Sequence, residues 1–94
     1  MENSLEAAAQ HILTHGDVTG CLFADKHGLC LCAAGDAKPE SSGLISAIAH
    51  HVGRLEPKSN PPTILLENDT QKCIIKQDTK ITTAIFRKKN SNES

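Results

Sequence analysis

The sequence predicts an α+β fold with elements in the order α-β-β-α-β-β-β: one five-stranded antiparallel sheet with helices on both faces. Three observations predict it. Segments 4–15 and 40–55 repeat their apolar residues at helical spacing. The hairpin between them is apolar on both faces. Three short β-rich runs crowd into residues 63–87, which leaves room only for tight turns between them.

The first helix is expected near Ser4 to His15. Leu5, Ala8, Ala9, Ile12 and Leu13 fall on one face, Asn3 is placed to cap the start, and Glu6 stands three residues on as in a capping box. Gly16 is placed to end the helix in the left-handed conformation. A hairpin follows, with strands at 18–24 and 29–34 around the turn Asp25-Lys26-His27-Gly28. Its doubly apolar faces imply a central position in the sheet. Pairing Ala24 with Leu29 places Cys21 opposite Cys32. The second helix runs from about Glu40 to Leu55, with Leu44, Ile45, Ile48, Val52 and Leu55 as its apolar stripe. Pro57 stops it, and 57–62 form a stiff linker. Strands at 63–67, 72–76 and 81–87 form a meander.

At 94 residues the chain is one domain, expected over 1–89 with a disordered polar tail at 90–94. Lys plus Arg number 10 and Asp plus Glu 11, so no bulk field draws in nucleic acid or anionic lipid. No apolar run approaches the roughly 20 residues of a membrane helix. The sequence shows neither a signal peptide nor a lipidation motif, and the chain is expected to be cytosolic unless a partner carries it elsewhere. Phe23 and Phe86 are its only large rings. A small, ring-poor core is a candidate for stabilisation by a partner.

The four cysteines, Cys21, Cys30, Cys32 and Cys73, read first as core thiols. The alternative is a thiol- or metal-dependent activity. Cys30-x-Cys32 would project two sulfurs to one strand face, Cys21 would supply a third, and His27 is the near candidate for a fourth ligand. His11-x-x-x-His15 shares a helix face but lacks the adjoining Glu of metalloproteases, and solvated histidines are the simpler reading. His50 and His51 point in different directions. No nucleophile elbow and no phosphate-binding Gly-rich loop appears, so no catalytic residue and no cofactor is assigned.

Ser42, Ser46, Ala49 and Gly53 lie on one flank of the second helix. Gly53 inside a helix costs about 1 kcal/mol relative to Ala. This flank either faces solvent or lets a helix of another chain approach closely. The strand Thr63-Ile64-Leu65-Leu66-Glu67, entered through Pro61-Pro62, reads as an apolar sheet edge that a like edge in a partner would cover.

The order and spacing of Gly20-Cys21-Leu22, Asp25-Lys26-His27-Gly28-Leu29, 42–46 (Ser-Gly-Leu-Ile-Ser), 65–69 (Leu-Leu-Glu-Asn-Asp) and 74–77 (Ile-Ile-Lys-Gln) resemble the roadblock/LC7-like (dynein light chain 7-like) family, in particular the roadblock-like subunits of the lysosomal Ragulator scaffold. The cysteine-rich return strand and the tail from Lys88 depart from the pattern. The resemblance implies a non-enzymatic scaffold subunit that dimerises through its second helix and third strand. The interface would comprise Ser42, Ser46, Ala49 and Gly53 with Thr63, Ile64, Leu65, Leu66 and Glu67. It further implies a heterodimer with another roadblock-like subunit, a lipidated wrapping subunit, and Rag GTPases recruited at the lysosomal surface for amino-acid-dependent activation of mTOR complex 1. Viral X protein and survivin come with it as further ligands. Another roadblock adaptor, such as a dynein light chain, differs only in partner.

Overall fold

The computed structural model describes residues 4–58, 60–78 and 80–89. Asn3 and the tail 90–94 lie outside the described residues. The elements are α1 (Ser4–Leu13), β1 (Val18–Asp25), β2 (Cys30–Gly35), a 3₁₀ turn (Pro39–Ser41), α2 (Ser42–Gly53), β3 (Ile64–Glu67), β4 (Gln71–Gln77) and β5 (Ile81–Lys88). The strands form one antiparallel sheet in the order β2-β1-β5-β4-β3. The α+β roadblock-type order read from the sequence is the order observed.

The turns follow local chemistry. Asp25 Oδ1 accepts from the amides of His27 and Leu29, and Gly28 takes φ +89° to complete that turn. Asn68 Oδ1 accepts from Thr70 and Gln71, and Asp78 Oδ1 from Lys80 and Ile81, which closes the two meander turns. Gly35 sits at φ +63°, where a Cβ would stand 2.3 Å from the Thr19 carbonyl oxygen. Gly16 is not left-handed. α1 instead ends on tightened bonds from Thr14 N–H to the His11 carbonyl and from His15 N–H to the Ile12 carbonyl.

The sheet separates two cores. Leu22, Ala24, Ile75 and Ala84 meet Ile45 and Ala49 of α2 on one side. Cys21 and Phe23 meet Ala9 of α1 on the other. β1 is buried without interruption from Gly20 to Ala24, as its doubly apolar sequence requires. Its hairpin partner is not central. β2 is an edge strand, with Leu31 37% exposed and Leu29, in the turn, 64% exposed. The apolar residues of β2 still pack on both faces, Cys32 and Ala34 against the α1-side core and Cys30 and Ala33 against the α2-side core.

A register jump in this hairpin changes the placement of the cysteines. Phe23 pairs with Cys32 and Ala24 with Cys30, so Leu31 is the extra residue of a bulge. Cys30 therefore packs against the α2-side core and Cys32 against the α1-side core. Cys21 lies opposite Ala34 and not Cys32. The sequence expectation of three sulfurs on one face assumed an unbroken alternation, and the bulge breaks it.

Candidate interaction surface

α2 rests on β1, β5 and β4 and is turned on its axis relative to the expected stripe. Its buried residues are Ser42, Ile45, Ser46 and Ala49. Leu44 is 67% exposed, and Leu55, just past the helix end, is 78% exposed. Among the interface residues read from the sequence, Ser42, Ser46 and Ala49 thus point into the chain's own fold. This corrects their placement on an outer flank. The rotation is about 100°, one residue's turn of a helix.

The cause lies in the hairpin turn. Ser42 Oγ donates to the Gly28 carbonyl at 2.7 Å, and Ser46 Oγ donates to the Asp25 carbonyl at 3.1 Å. Both carbonyls lie in the β1–β2 turn, and a Cβ on Gly28 would stand 3.2 Å from the Gly43 Cα. Small residues let the helix approach the turn this closely; Ser42 gives the Gly28 carbonyl a donor, and Ser46 adds a second donor to the Asp25 carbonyl, which already accepts from the Gly28 amide. The small flank therefore serves a contact within the chain, and the bulky stripe is left at its margin.

That margin leaves leucines in solvent. Leu44, Ile48 and Leu55 share one side of the helix axis. Beyond β4 the next strand is β3, which carries no further strand among the described residues. Thr63 is exposed just before β3. Leu66 is opposite Cys73 on the α2 side and 42% exposed, while Leu65 is opposite Ile74 on the other side and 55% exposed. Glu67 closes the strand with an ion pair to Lys89, Oε2 to Nζ 3.7 Å. Gly53 has open space where a side chain would stand. The helix thus presents exposed leucines, and β3 presents a free ladder edge. A small cavity of about 220 Å³, lined by Leu66, Cys73 and Phe86 among others, lies beside β3.

The two sheet edges differ. The bulge at Leu31 bends β2, a device that protects an edge from pairing. β3 pairs with β4 in unbroken register and has no such device.

The thiols do not support an activated site. Burial pushes Cys21, Cys32 and Cys73 up from the ordinary thiol value, with Cys32 adding to the effect at Cys21 and Glu6 and Cys30 adding at Cys32. A reactive thiolate needs the opposite shift. Among the described residues no group of three or more His, Cys, Asp or Glu side chains is gathered to hold a metal. His27 stands in the exposed turn, away from any such set. Near the start of β1, Asp17 takes a forked ion pair from Arg87 of β5, with contacts of 2.8–3.1 Å, and that guanidinium lowers the Asp17 pKa.

The profile of the family described as Ragulator complex protein LAMTOR5 matches residues 1–87. The chain is similar to a Ragulator complex protein LAMTOR5 homolog of Nematostella vectensis, 33% identical over 88 residues that cover 93% of this chain and 97% of the relative. A homolog of the same description from Ixodes scapularis is 34% identical over 87 residues, covering 92% and 94%. The backbone is similar to the crystal structure of a roadblock/LC7 domain from Streptomyces avermitilis, with TM-score 0.72 and 14% identity over 85% of this chain and 74% of that one. It is also similar to Myxococcus xanthus MglB, with TM-score 0.81 and 13% identity over 92% and 76%. At those identities the two structures establish the fold.

Proposed function

The chain belongs to the Ragulator complex protein LAMTOR5 family, and from that premise we propose that it is a non-enzymatic scaffold subunit that pairs with another roadblock-like Ragulator subunit through the outer side of α2 and the free edge of β3. In this reading a lipidated subunit wraps the pair and carries it to the lysosomal surface. The assembly recruits and regulates Rag GTPases there, for amino-acid-dependent activation of mTOR complex 1. No residue has a catalytic role, and the chain works through the area it buries and the strand edge it offers.

One observation supports the reading above the rest. The molecule carries two kinds of unsatisfied surface: exposed Leu44 and Leu55 on the helix, and an edge strand with Leu65 and Leu66 exposed. Pairing through β3 would extend the ladder, and the partner's helix would cover Leu44, Ile48 and Leu55. The interface set is therefore Leu44, Gly53, Leu55 and 63–67, with Ser42, Ser46 and Ala49 holding α2 in place behind it.

The test is co-expression with a roadblock-like Ragulator subunit, followed by affinity capture and light scattering. A 1:1 complex is expected. Leu55→Asp should weaken it at least about 30-fold, the effect of losing a hot spot of roughly 2 kcal/mol. An unchanged complex with Leu55→Asp would remove α2 from the interface.

A further inference from the structure

The basic run Arg87-Lys88-Lys89 stands at the end of β5 and leads into Asn90-Ser91. Ser91 is the one serine or threonine of the chain with a Lys or Arg both two and three residues before it, and Arg87 adds a third positive charge at the fourth. Protein kinases that select basic substrates read this pattern, because carboxylates in their peptide groove pair with cations upstream of the acceptor hydroxyl. Lys88 is exposed and available to such a groove. Hydroxyls that follow a single basic residue fit less well, since a kinase takes its acceptor as an extended segment. Ser41, three residues after Lys38, is held in the 3₁₀ turn, and Thr82 and Thr83, after Lys80, are locked in β5, where Thr82 is buried.

The lysine two residues before Ser91 ties down the end of β3. Lys89 Nζ donates to the Asn68 carbonyl at 3.5 Å and lies 3.7 Å from Glu67 Oε2. The Lys89 amide donates to the Thr70 carbonyl at 2.8 Å. Glu67 is the last residue of β3, so Lys89 holds the β3–β4 turn against the end of β5. Two residues of chain span at most about 7 Å, which keeps a phosphate on Ser91 within reach of the Lys89 ammonium. That phosphate carries about two negative charges near neutral pH and three strong acceptor oxygens. It competes with one carboxylate at 3.7 Å, a separation longer than a charge-assisted hydrogen bond.

We propose that Ser91 is a phosphorylation site for a basic-directed serine/threonine kinase, and that its phosphate draws Lys89 away from Glu67 and Asn68 and so loosens the turn at the end of β3. Ser91 Oγ attacks the γ-phosphorus of ATP, the bond from that phosphorus to the bridging oxygen breaks, ADP leaves, and the hydroxyl proton passes to the kinase's carboxylate base. That this loosening reaches a partner-binding edge rests on the β3 pairing proposed above; the modification and the loosening do not.

The experiment is incubation of the full chain with magnesium, ATP and the catalytic subunit of cyclic-AMP-dependent protein kinase, which selects basic residues at these two positions. Tandem mass spectrometry locates the phosphate, and amide exchange is followed by proton–nitrogen spectra. One phosphate on Ser91 is expected, and none on the Ser91→Ala chain. Lys88→Ala should lower kcat/KM for the kinase at least about tenfold, the effect of losing one charged contact. In the phosphorylated chain the turn amides of Asn68, Thr70 and Gln71 should exchange at least about fivefold faster, with the amides of β1 unchanged. The proposal is overturned if no phosphate is incorporated, if it appears on another residue, if Lys88→Ala is phosphorylated as well as the parent, or if the turn amides of the phosphorylated chain exchange as before.

Discussion

Asp25 shows how much of this fold rests on single carboxylates. Its Oδ1 holds two amides of the hairpin turn, and the turn's carbonyls in turn receive Ser42 and Ser46. The Leu29 and His27 amides keep the Asp25 carboxyl below its ordinary 3.8, the Lys80 and Ile81 amides do the same for Asp78, and Arg87 does so for Asp17. A pKa lowered in the folded state adds stability that is full above the unfolded value and is lost as pH falls through the folded one. The fold should therefore weaken below about pH 4. Asp25→Asn keeps an acceptor oxygen but cannot titrate, so its urea midpoint should fall less between pH 7 and pH 3 than the parent's. Equal falls would show that Asp25 does not contribute to the acid response.

At the scale of elements, α2 carries the main correction to the sequence reading. Ala49 is 2% exposed against the chain's own sheet, whereas Gly53 has open space around it. Ala49→Leu should overpack the core and cost about 1–3 kcal/mol of monomer stability in chemical denaturation. Gly53→Leu should leave the monomer about as stable, since Gly53 is the last residue of α2, is not at positive φ and has open space where a side chain would stand, and should weaken the heterodimer. The reverse pattern would restore the small flank to the outer surface.

The same helix shows where sequence reading ends. Its position and length were legible from periodicity, and the turns from Asp25, Gly28, Asn68 and Asp78, because these are local properties. Which side of α2 faces inward was not, because two adjacent stripes compete. Bulky Leu44, Ile48 and Leu55 have more area to bury, but Ser42, Ser46 and Ala49 allow the close approach, and the two serines donate to turn carbonyls some fourteen to twenty-one residues away in sequence. The bulge at Leu31 was hidden for a similar reason, since β2 alone reads as a regular strand and only its pairing with β1 shows the extra residue. The edge character of Thr63 to Glu67 was signalled by Pro61-Pro62, and β3 does lie at the sheet's end.

As a whole molecule the chain is asymmetric. One sheet edge is bent by a bulge and flanked by α1, and the other is regular, apolar and bordered by exposed leucines. That asymmetry matches a subunit that adds a partner at one end and not at both. Hydrogen exchange of the chain alone and with a roadblock-like Ragulator subunit tests this most directly. The account predicts strong new protection of the β3 amides at 64–67 and of 44–55, with β2 amides at 31–35 unchanged. Protection that appears at β2 while β3 keeps exchanging freely would contradict it.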